Sequence, residues 1–210
     1  MTPLQGSLLD AGDEAPTLAP LGDGMTRTTL SRGAWIDHQL GWLHRSDAVF
    51  AELEASVPWR AERRQMYERI VDVPRLVSWY DASDALPHPL VGEAKRLLSD
   101  RYRDIEPRGF ATAGMCLYRD GRDSVAWHGD TIGRGRREDT LVAIVSLGEP
   151  RALLLRPRGG GGASQRFMLG HGDLLVMGGS CQRTWEHAIP KTAKPCGPRI
   201  SVQFRPPGVR

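Results

Sequence analysis

The sequence predicts an α+β protein in which a partly helical N-terminal half feeds a barrel or sandwich of short strands. Three observations predict it. Two stretches before residue 109 carry apolar residues at helical spacing and end on stop signals. From Phe110 onward, short β-like runs alternate with Gly- and Pro-rich turns, a spacing that suits a sandwich or barrel. The chain has 210 residues, 40% of them hydrophobic and 25% charged, enough for one sizeable domain or one domain with an N-terminal extension.

Residues 1–22 mix Pro, Gly, Asp and small side chains without periodicity and read as a flexible leader. They lack the basic start and apolar centre of a signal peptide. Residues 23–109 form the N-terminal extension of the domain. Within it, Met25 to Leu30 suits a strand, and Ala34 to Leu43 an extended or helical entry into the core. Ser46 or Asp47 can cap a helix through Ala48–Glu54, with Val49, Phe50 and Leu53 on one face and Pro58 as its stop. Trp59 to Arg64 sets cations beside an aromatic, which reads as a solvated loop or as a phosphate-facing patch. Val73 to Asp81 reads as a strand. Its Trp79 and Tyr80 suit a core, the usual fate of such a pair, or a pocket wall on which bases stack. A second helix is expected over about Pro89 to Asp104, with Val91, Ala94, Leu97 and Leu98 inward.

Residues 110–210 carry the strand-rich core. The expected strands are Ala113 to Arg119, Thr140 to Ser146, Ala152 to Arg156, Gln165 to Leu169, Leu174 to Met177, Thr184 to Ile189 and Arg199 to Arg205. Gly159 to Gly162 is a turn and not a phosphate loop, because no Lys-Ser/Thr and no helix follow. Gly133 to Arg137 reads as a mobile basic loop.

Composition sets limits on function. A net charge of +3 permits a nucleic-acid partner without requiring one. Cys116, Cys181 and Cys196 show no C-x-x-C spacing, so neither a disulfide scaffold nor a zinc ribbon is supported, and a reducing cytoplasm is the expected compartment. No apolar run reaches membrane-spanning length. A monomer acting away from membranes is expected.

The chemistry centres on Trp127-His128-Gly129-Asp130. On an extended segment residues i and i+2 share a face, so His128 and Asp130 can grip one divalent metal from one side. With a distant second histidine they would complete a 2-His-1-carboxylate facial triad, which leaves three coordination positions open. The simpler reading is a loop histidine hydrogen-bonded to a nearby aspartate. His171 and His187 are the candidates for the distant ligand. His187 is preferred because it sits in a strand-like run, whereas His171 lies in a turn; a buried core histidine is the competing reading of His187. On the final strand Arg199, Ser201, Gln203 and Arg205 share one face, and Ile200, Val202 and Phe204 the other. That pattern ordinarily means solvent-out and core-in. Two guanidinium forks close after a ligand histidine would also suit a dicarboxylate.

H-x-D, a far histidine and then R-x-x-x-x-x-R resembles the AlkB family of Fe(II)/2-oxoglutarate dioxygenases. Val73-Pro74-Arg75-Leu76 with Trp79-Tyr80 resembles a segment of its nucleic-acid-demethylating members, and Gly172 to Gly179 with Trp185 to Lys191 its distal-histidine region. The resemblance runs from about Thr28 to Arg205. It implies a double-stranded β-helix, or jelly-roll, core with an N-terminal helical and β-lid extension, all one catalytic domain. It implies Fe(II) held by His128, Asp130 and His187, with 2-oxoglutarate and O₂ as co-substrates. Tyr118 and Arg199 would bind the distal carboxylate of 2-oxoglutarate, Arg205 would lie near its metal-bound end, and Gln203 would line the same pocket. Arg75, Trp79 and Tyr80 would belong to a lid that receives the nucleotide. The implied activity is oxidative demethylation of N-alkylated bases of the 1-methyladenine and 3-methylcytosine type in DNA, or RNA, a repair reaction. The alternative is a 2-oxoglutarate-dependent hydroxylase or demethylase of a protein, lipid or small molecule. Two departures stand out. Cys116 replaces an Asn common two residues before the Tyr, and Thr131-Ile132-Gly133 replaces an acidic pair common after H-x-D, which leaves the base-facing acid missing from its expected place.

Overall fold

Alternation along the strands decides how the layers stack. In β-strands successive side chains point to opposite faces, and here both faces of the strands Val142–Gly148 and Asp173–Gly179 are largely apolar. The computed structural model describes residues 15–66 and 69–209. In chain order its strands are β1 (Thr17–Leu18), β2 (Met25–Thr29), β3 (Ala34–Gln39), β4 (Leu43–His44), β5 (Arg60–Met66), β6 (Arg69–Tyr80), β7 (Thr112–Tyr118), β8 (Val125–His128), β9 (Val142–Gly148), β10 (Arg151–Pro157), β11 (Gln165–Leu169), β12 (Asp173–Gly179), β13 (Trp185–Ile189) and β14 (Arg199–Arg205). Helix α1 (Ser46–Ser56) lies between β4 and β5, α2 (Pro89–Arg101) between β6 and β7, and the short α3 (Cys181–Thr184) before β13. None of these helices is long and apolar enough to cross a membrane.

The large sheet has eight strands in the order β2-β3-β12-β9-β14-β7-β6-β5, and the smaller has four in the order β11-β10-β13-β8. The pairings are antiparallel. On β9, Val142 and Ile144 join Leu153, Leu155, Trp185 and Ile189 in an apolar layer between the two sheets. From the same strand Ala143, Val145 and Leu147 pack the other way, against Val49 and Leu53 of α1 and Val91, Ala94 and Leu98 of α2. The result is three layers: helices, large sheet, small sheet. This is the expected jelly-roll. Its large sheet reaches beyond residues 110–210, because β2, β3, β5 and β6 extend it at both ends.

Several local expectations change. Of the two forms expected for the start of the Ala34–Leu43 stretch, Ala34–Gln39 takes the extended one, paired on both sides by β2 and β12. Neither Ser46 nor Asp47 caps α1. Arg45 is the N-cap, at φ 52° and with no side-chain cap, because the chain must turn sharply out of β4 to start the helix. Asp47 instead sits in the first turn, where a carboxylate complements the helix dipole. Helix α2 stops at Arg101 and not near Asp104; its N-cap is His88, whose Nδ1 accepts from the Leu90 amide at 3.1 Å. The Trp59–Arg64 stretch is no loop, since Arg60 opens the edge strand β5. Residues 1–14 of the expected leader lie outside the described residues. Thr17 and Leu18 pair with His44 and Leu43, and the Trp42 indole donates to the Ala19 carbonyl at 2.8 Å.

The Gly133–Arg137 loop also differs from expectation. It is a 3₁₀ turn pinned from beneath. Arg134 is largely buried, pairs with Glu106 and Glu138, and donates through Nε to the Pro207 carbonyl at 2.8 Å.

Candidate metal centre and co-substrate pocket

Register brings the two imidazoles together. β8 and β13 pair antiparallel with His128 directly opposite His187, and their ring centroids lie 4.2 Å apart. Asp130 follows two residues after His128, and its Oδ1 lies 3.7 Å from His128 Nε2. One ligand atom from each of His128, Asp130 and His187 lies within 4.8 Å of the other two, the spacing that a single ion would bridge. His171, the rejected candidate, sits far from this cluster. Its Nδ1 accepts from the Gly148 amide at 2.6 Å and its Nε2 lies 3.2 Å from Asp47.

The protonation states suit a metal. His128 Nδ1 lies 2.9 Å from the Ala126 carbonyl, which can only accept, so the proton sits on Nδ1 and the Nε2 lone pair is free. Burial above all pushes His187 down to about 3, so it is neutral at physiological pH. Burial acts the other way on Asp130, but the Arg205 guanidinium and the two imidazoles outweigh it and hold the carboxyl at about 2. The donor set is therefore a carboxylate, the neutral imidazole of His187 and the Nε2 of His128.

Two buried partners that the sequence reading missed orient Asp130. Arg205 Nε donates to its Oδ2 at 2.7 Å, and its backbone amide donates to Gln182 Oε1 at 2.9 Å. Arg205 thus braces the metal ligand itself and passes Nη2 to Gln203 Oε1 at 2.7 Å. Between the ligands only glycine fits. A Cβ on Gly129 would come within 2.5 Å of the Gln182 carbonyl oxygen and 2.8 Å of Arg158 Nη2. Gly129→Ala is expected to cost about 1–3 kcal/mol through this overlap, lowering Tm by several degrees and weakening Fe(II) binding. A melt and an Fe(II) titration both matching wild type would contradict the packing described here.

Beside the triad, the polar face of β14 turns inward and not to solvent. Arg199 and Ser201 are buried, and Arg199, Ser201, Gln203 and Arg205 all line a cavity of ≈ 630 Å³ that also holds the triad. The reason is layering: the helix-side core covers one face of the large sheet, and the polar face of β14, mid-sheet between β9 and β7, looks into the cavity on the small-sheet side. Arg199 donates through Nε to Ser146 Oγ at 2.9 Å and lies 5.2 Å from the centre of the Tyr118 ring, its cross-strand partner on β7. Among the described residues its Nη1 is buried with no partner. Burial depresses Arg199 from the ordinary guanidinium range, a cost that a bound carboxylate would relieve. The Tyr118 hydroxyl, pushed up to about 12 chiefly by burial, keeps its proton and can donate. An orphaned cationic donor beside a protonated phenol fits a carboxylate, so these residues suit 2-oxoglutarate.

The expected lid residues separate. Arg75 lines the cavity, with Nε 3.4 Å from Cys116 Sγ and Nη1 3.3 Å from the Ser124 carbonyl. Trp79 also lines it and is 40% exposed, its indole N–H bonded to Asp81 at 2.9 Å. Gly114 lets that ring lie flat on β7: a Cβ there would meet both Trp79 and Arg205 Nη1 at 3.1 Å. Tyr80 does not line the metal cavity. One residue on from Trp79, it faces the opposite side of the strand and packs against the helix-side core.

Fold and triad together define a class, the mononuclear non-haem iron oxygenases. The chain belongs to the 2OG-Fe(II) oxygenase superfamily, whose family pattern matches residues 44–205. Its similarities within that superfamily run to AlkB-type enzymes. It is 28% identical over 200 residues to the alpha-ketoglutarate-dependent dioxygenase alkB homolog 3 of Bos taurus, covering 87% of this chain and 66% of that protein. It is 27% identical over 182 residues to the DNA oxidative demethylase ALKBH2 of Bos taurus, covering 76% of this chain and 64% of that protein. The solved structure of OsALKBH1 superposes with a TM-score of 0.57 at 14% identity, over 85% of this chain and all of that one. The chain thus carries the domain of a superfamily that uses Fe(II) and 2-oxoglutarate, His128, Asp130 and His187 are its candidate metal ligands, and it spans just under two thirds of the length of the curated relatives it matches.

Proposed function

We propose that this dioxygenase removes N-linked methyl groups from bases of the 1-methyladenine and 3-methylcytosine type in DNA, or RNA, a repair reaction. The observation that carries the reading is Trp79, a half-exposed indole fixed at the rim of a cavity that also holds the candidate metal ligands and the orphaned arginine. An aromatic face at such a rim is what an unstacked base needs. The hairpin of β5 and β6 that bears it carries Arg60, Arg63, Arg64 and Arg69 in its sequence, which suits a polyanion. Similarity to an alpha-ketoglutarate-dependent dioxygenase named as an alkB homolog, and to a protein named as a DNA oxidative demethylase, supports the same reading.

When bound, iron with 2-oxoglutarate and O₂ would supply the oxidant that hydroxylates the N-methyl carbon; the C–N bond of the hydroxymethyl group then breaks, releasing formaldehyde and the unmethylated base. The protein supplies position. His128, Asp130 and His187 would hold the metal on one side, and Arg199 and Tyr118 would fix the distal carboxylate of the co-substrate. Arg205 keeps Asp130 ionised and aimed. Trp79 would stack on a base that has left its own stack.

The test is 2-oxoglutarate-dependent formaldehyde release from a single-stranded oligonucleotide carrying 1-methyladenine or 3-methylcytosine. Release is expected, with binding that weakens steeply as salt rises. Absence of release in the presence of Fe(II) and ascorbate, with salt-insensitive binding, would favour a protein, lipid or small-molecule substrate.

A further inference from the structure

The hydrogen bonds that start at Asp130 do not stop at Arg205. Arg205 Nη2 donates to Gln203 Oε1 at 2.7 Å. Because that amide turns its oxygen to Arg205, its nitrogen faces the other way and donates to Cys116 Sγ on β7 at 3.6 Å. Arg75 Nε, from the strand that bears Trp79, donates to the same sulfur at 3.4 Å. Arg75 goes on through Nη1 to the Ser124 carbonyl at 3.3 Å, and the Ser124 amide returns to the Pro74 carbonyl at 2.7 Å. Asp130, Arg205, Gln203, Cys116 and Arg75 thus form one unbroken chain, and all five line the cavity.

Topology explains why a cysteine is the middle link. β7 lies between β14 and β6, and Cys116 is in register with Ser201 on one side and Val77 on the other. Gln203 and Arg75 each stand two residues further along their strands, at the diagonal positions that long side chains can bridge. Both can only donate toward Cys116, so the atom between them must accept twice. Gln203 keeps a second hold, since its Nε2 also reaches Ser201 Oγ at 3.3 Å. The lid meets Arg205 once more, with the guanidinium 5.7 Å from the centre of the Trp79 ring.

Each long side chain in the chain loses rotamer freedom when it is set. A nucleotide seated on the lid fixes Arg75 and Trp79, and an ion fixes Asp130. Whichever binds first orders links that the other also needs, so the second binding costs less, and the effect is reciprocal. We propose that Cys116 and Gln203 are positioning residues that tie the nucleotide-receiving lid to Asp130, so that Fe(II) and the nucleic acid tighten each other's binding. The assignment rests on the demethylase reading above, which makes the lid the seat of the nucleotide.

The test is an anaerobic Fe(II) titration in the presence of 2-oxoglutarate, followed by the difference spectrum. It is run without and with a saturating single-stranded oligonucleotide carrying 3-methylcytosine; without O₂ nothing turns over. Each variant is first shown to be folded by a thermal melt. Wild type is expected to bind Fe(II) about fivefold tighter, or more, when the oligonucleotide is bound. In Cys116→Ala that factor is expected to fall to about twofold, the remainder passing through Trp79 and Arg205; Cys116→Ser, which keeps an acceptor, recovers part of the loss. Gln203→Leu is expected to lose at least as much, and the double variant no more than Gln203→Leu alone, as links of one chain must. An unchanged factor in Cys116→Ala, or losses that simply add in the double variant, would overturn the assignment. So would a wild-type factor of about one with the oligonucleotide bound. If wild type neither binds the oligonucleotide nor releases formaldehyde from it, the demethylase reading falls instead, and this one with it.

Discussion

Replacing His128 with alanine is expected to abolish formaldehyde release from a methylated oligonucleotide while the oligonucleotide still binds. The fall should reach about a thousandfold, ~4 kcal/mol of transition-state stabilisation. Two residues would remain to hold the ion, and the substitution would remove the imidazole whose Nδ1 bond to Ala126 presets its free Nε2 toward the site. On the proposed reading, oligonucleotide binding would draw on Trp79 and on the arginines in the sequence of the β5–β6 hairpin, which the substitution leaves in place. Turnover and binding measured on one preparation separate the two. Retained turnover would mean that the ligand assignment is wrong.

Arg199→Ala is expected to produce the second large effect, on the co-substrate. The KM for 2-oxoglutarate should rise about 30- to 100-fold, ~2–3 kcal/mol, as for loss of one partner of a buried charge-assisted contact. Lysine at this position should recover only part of that, because a point charge cannot reproduce the fork that reaches Ser146 and leaves Nη1 for a ligand. An anaerobic titration of the Fe(II) enzyme with 2-oxoglutarate, followed by its difference spectrum, reads the same loss without turnover. A wild-type titration curve in the alanine variant would show that the co-substrate carboxylate lies elsewhere.

What the sequence disclosed of this site follows from the two-residue period of strands. The H-x-D spacing and the Arg199–Arg205 alternation are local, so each set is visible as one face of one segment. The choice of His187 over His171 was likewise legible, because one sits in a strand-like run and the other in a turn. Facing was harder. β14 reads as solvent-out and core-in, yet its polar face is enclosed, because strand order in the sheet is a non-local property. Tyr80 shows the same limit, since its neighbour Trp79 takes the cavity side. The pairing of Arg205 with Asp130 spans 75 residues, and the contact of Gln203 with Cys116 spans 87. No spacing rule within one segment could have supplied either.

The β14 strand has one more consequence, for how the enzyme gains and loses its cofactor. A single seven-residue segment supplies both the fork that steadies Asp130 and the fork proposed to take the co-substrate, whose Nη1 has no partner among the described residues. Its hydrogen-bonded neighbours, β7 and β9, come from distant parts of the chain. Fraying of this segment would dismantle both subsites in one cooperative opening, and occupancy of either would hold it shut. Iron retention and 2-oxoglutarate retention would then be thermodynamically linked. A chain that has let go of its co-substrate anchor has also loosened its hold on a redox-active ion, so it is less prone to hold that ion in a half-formed site.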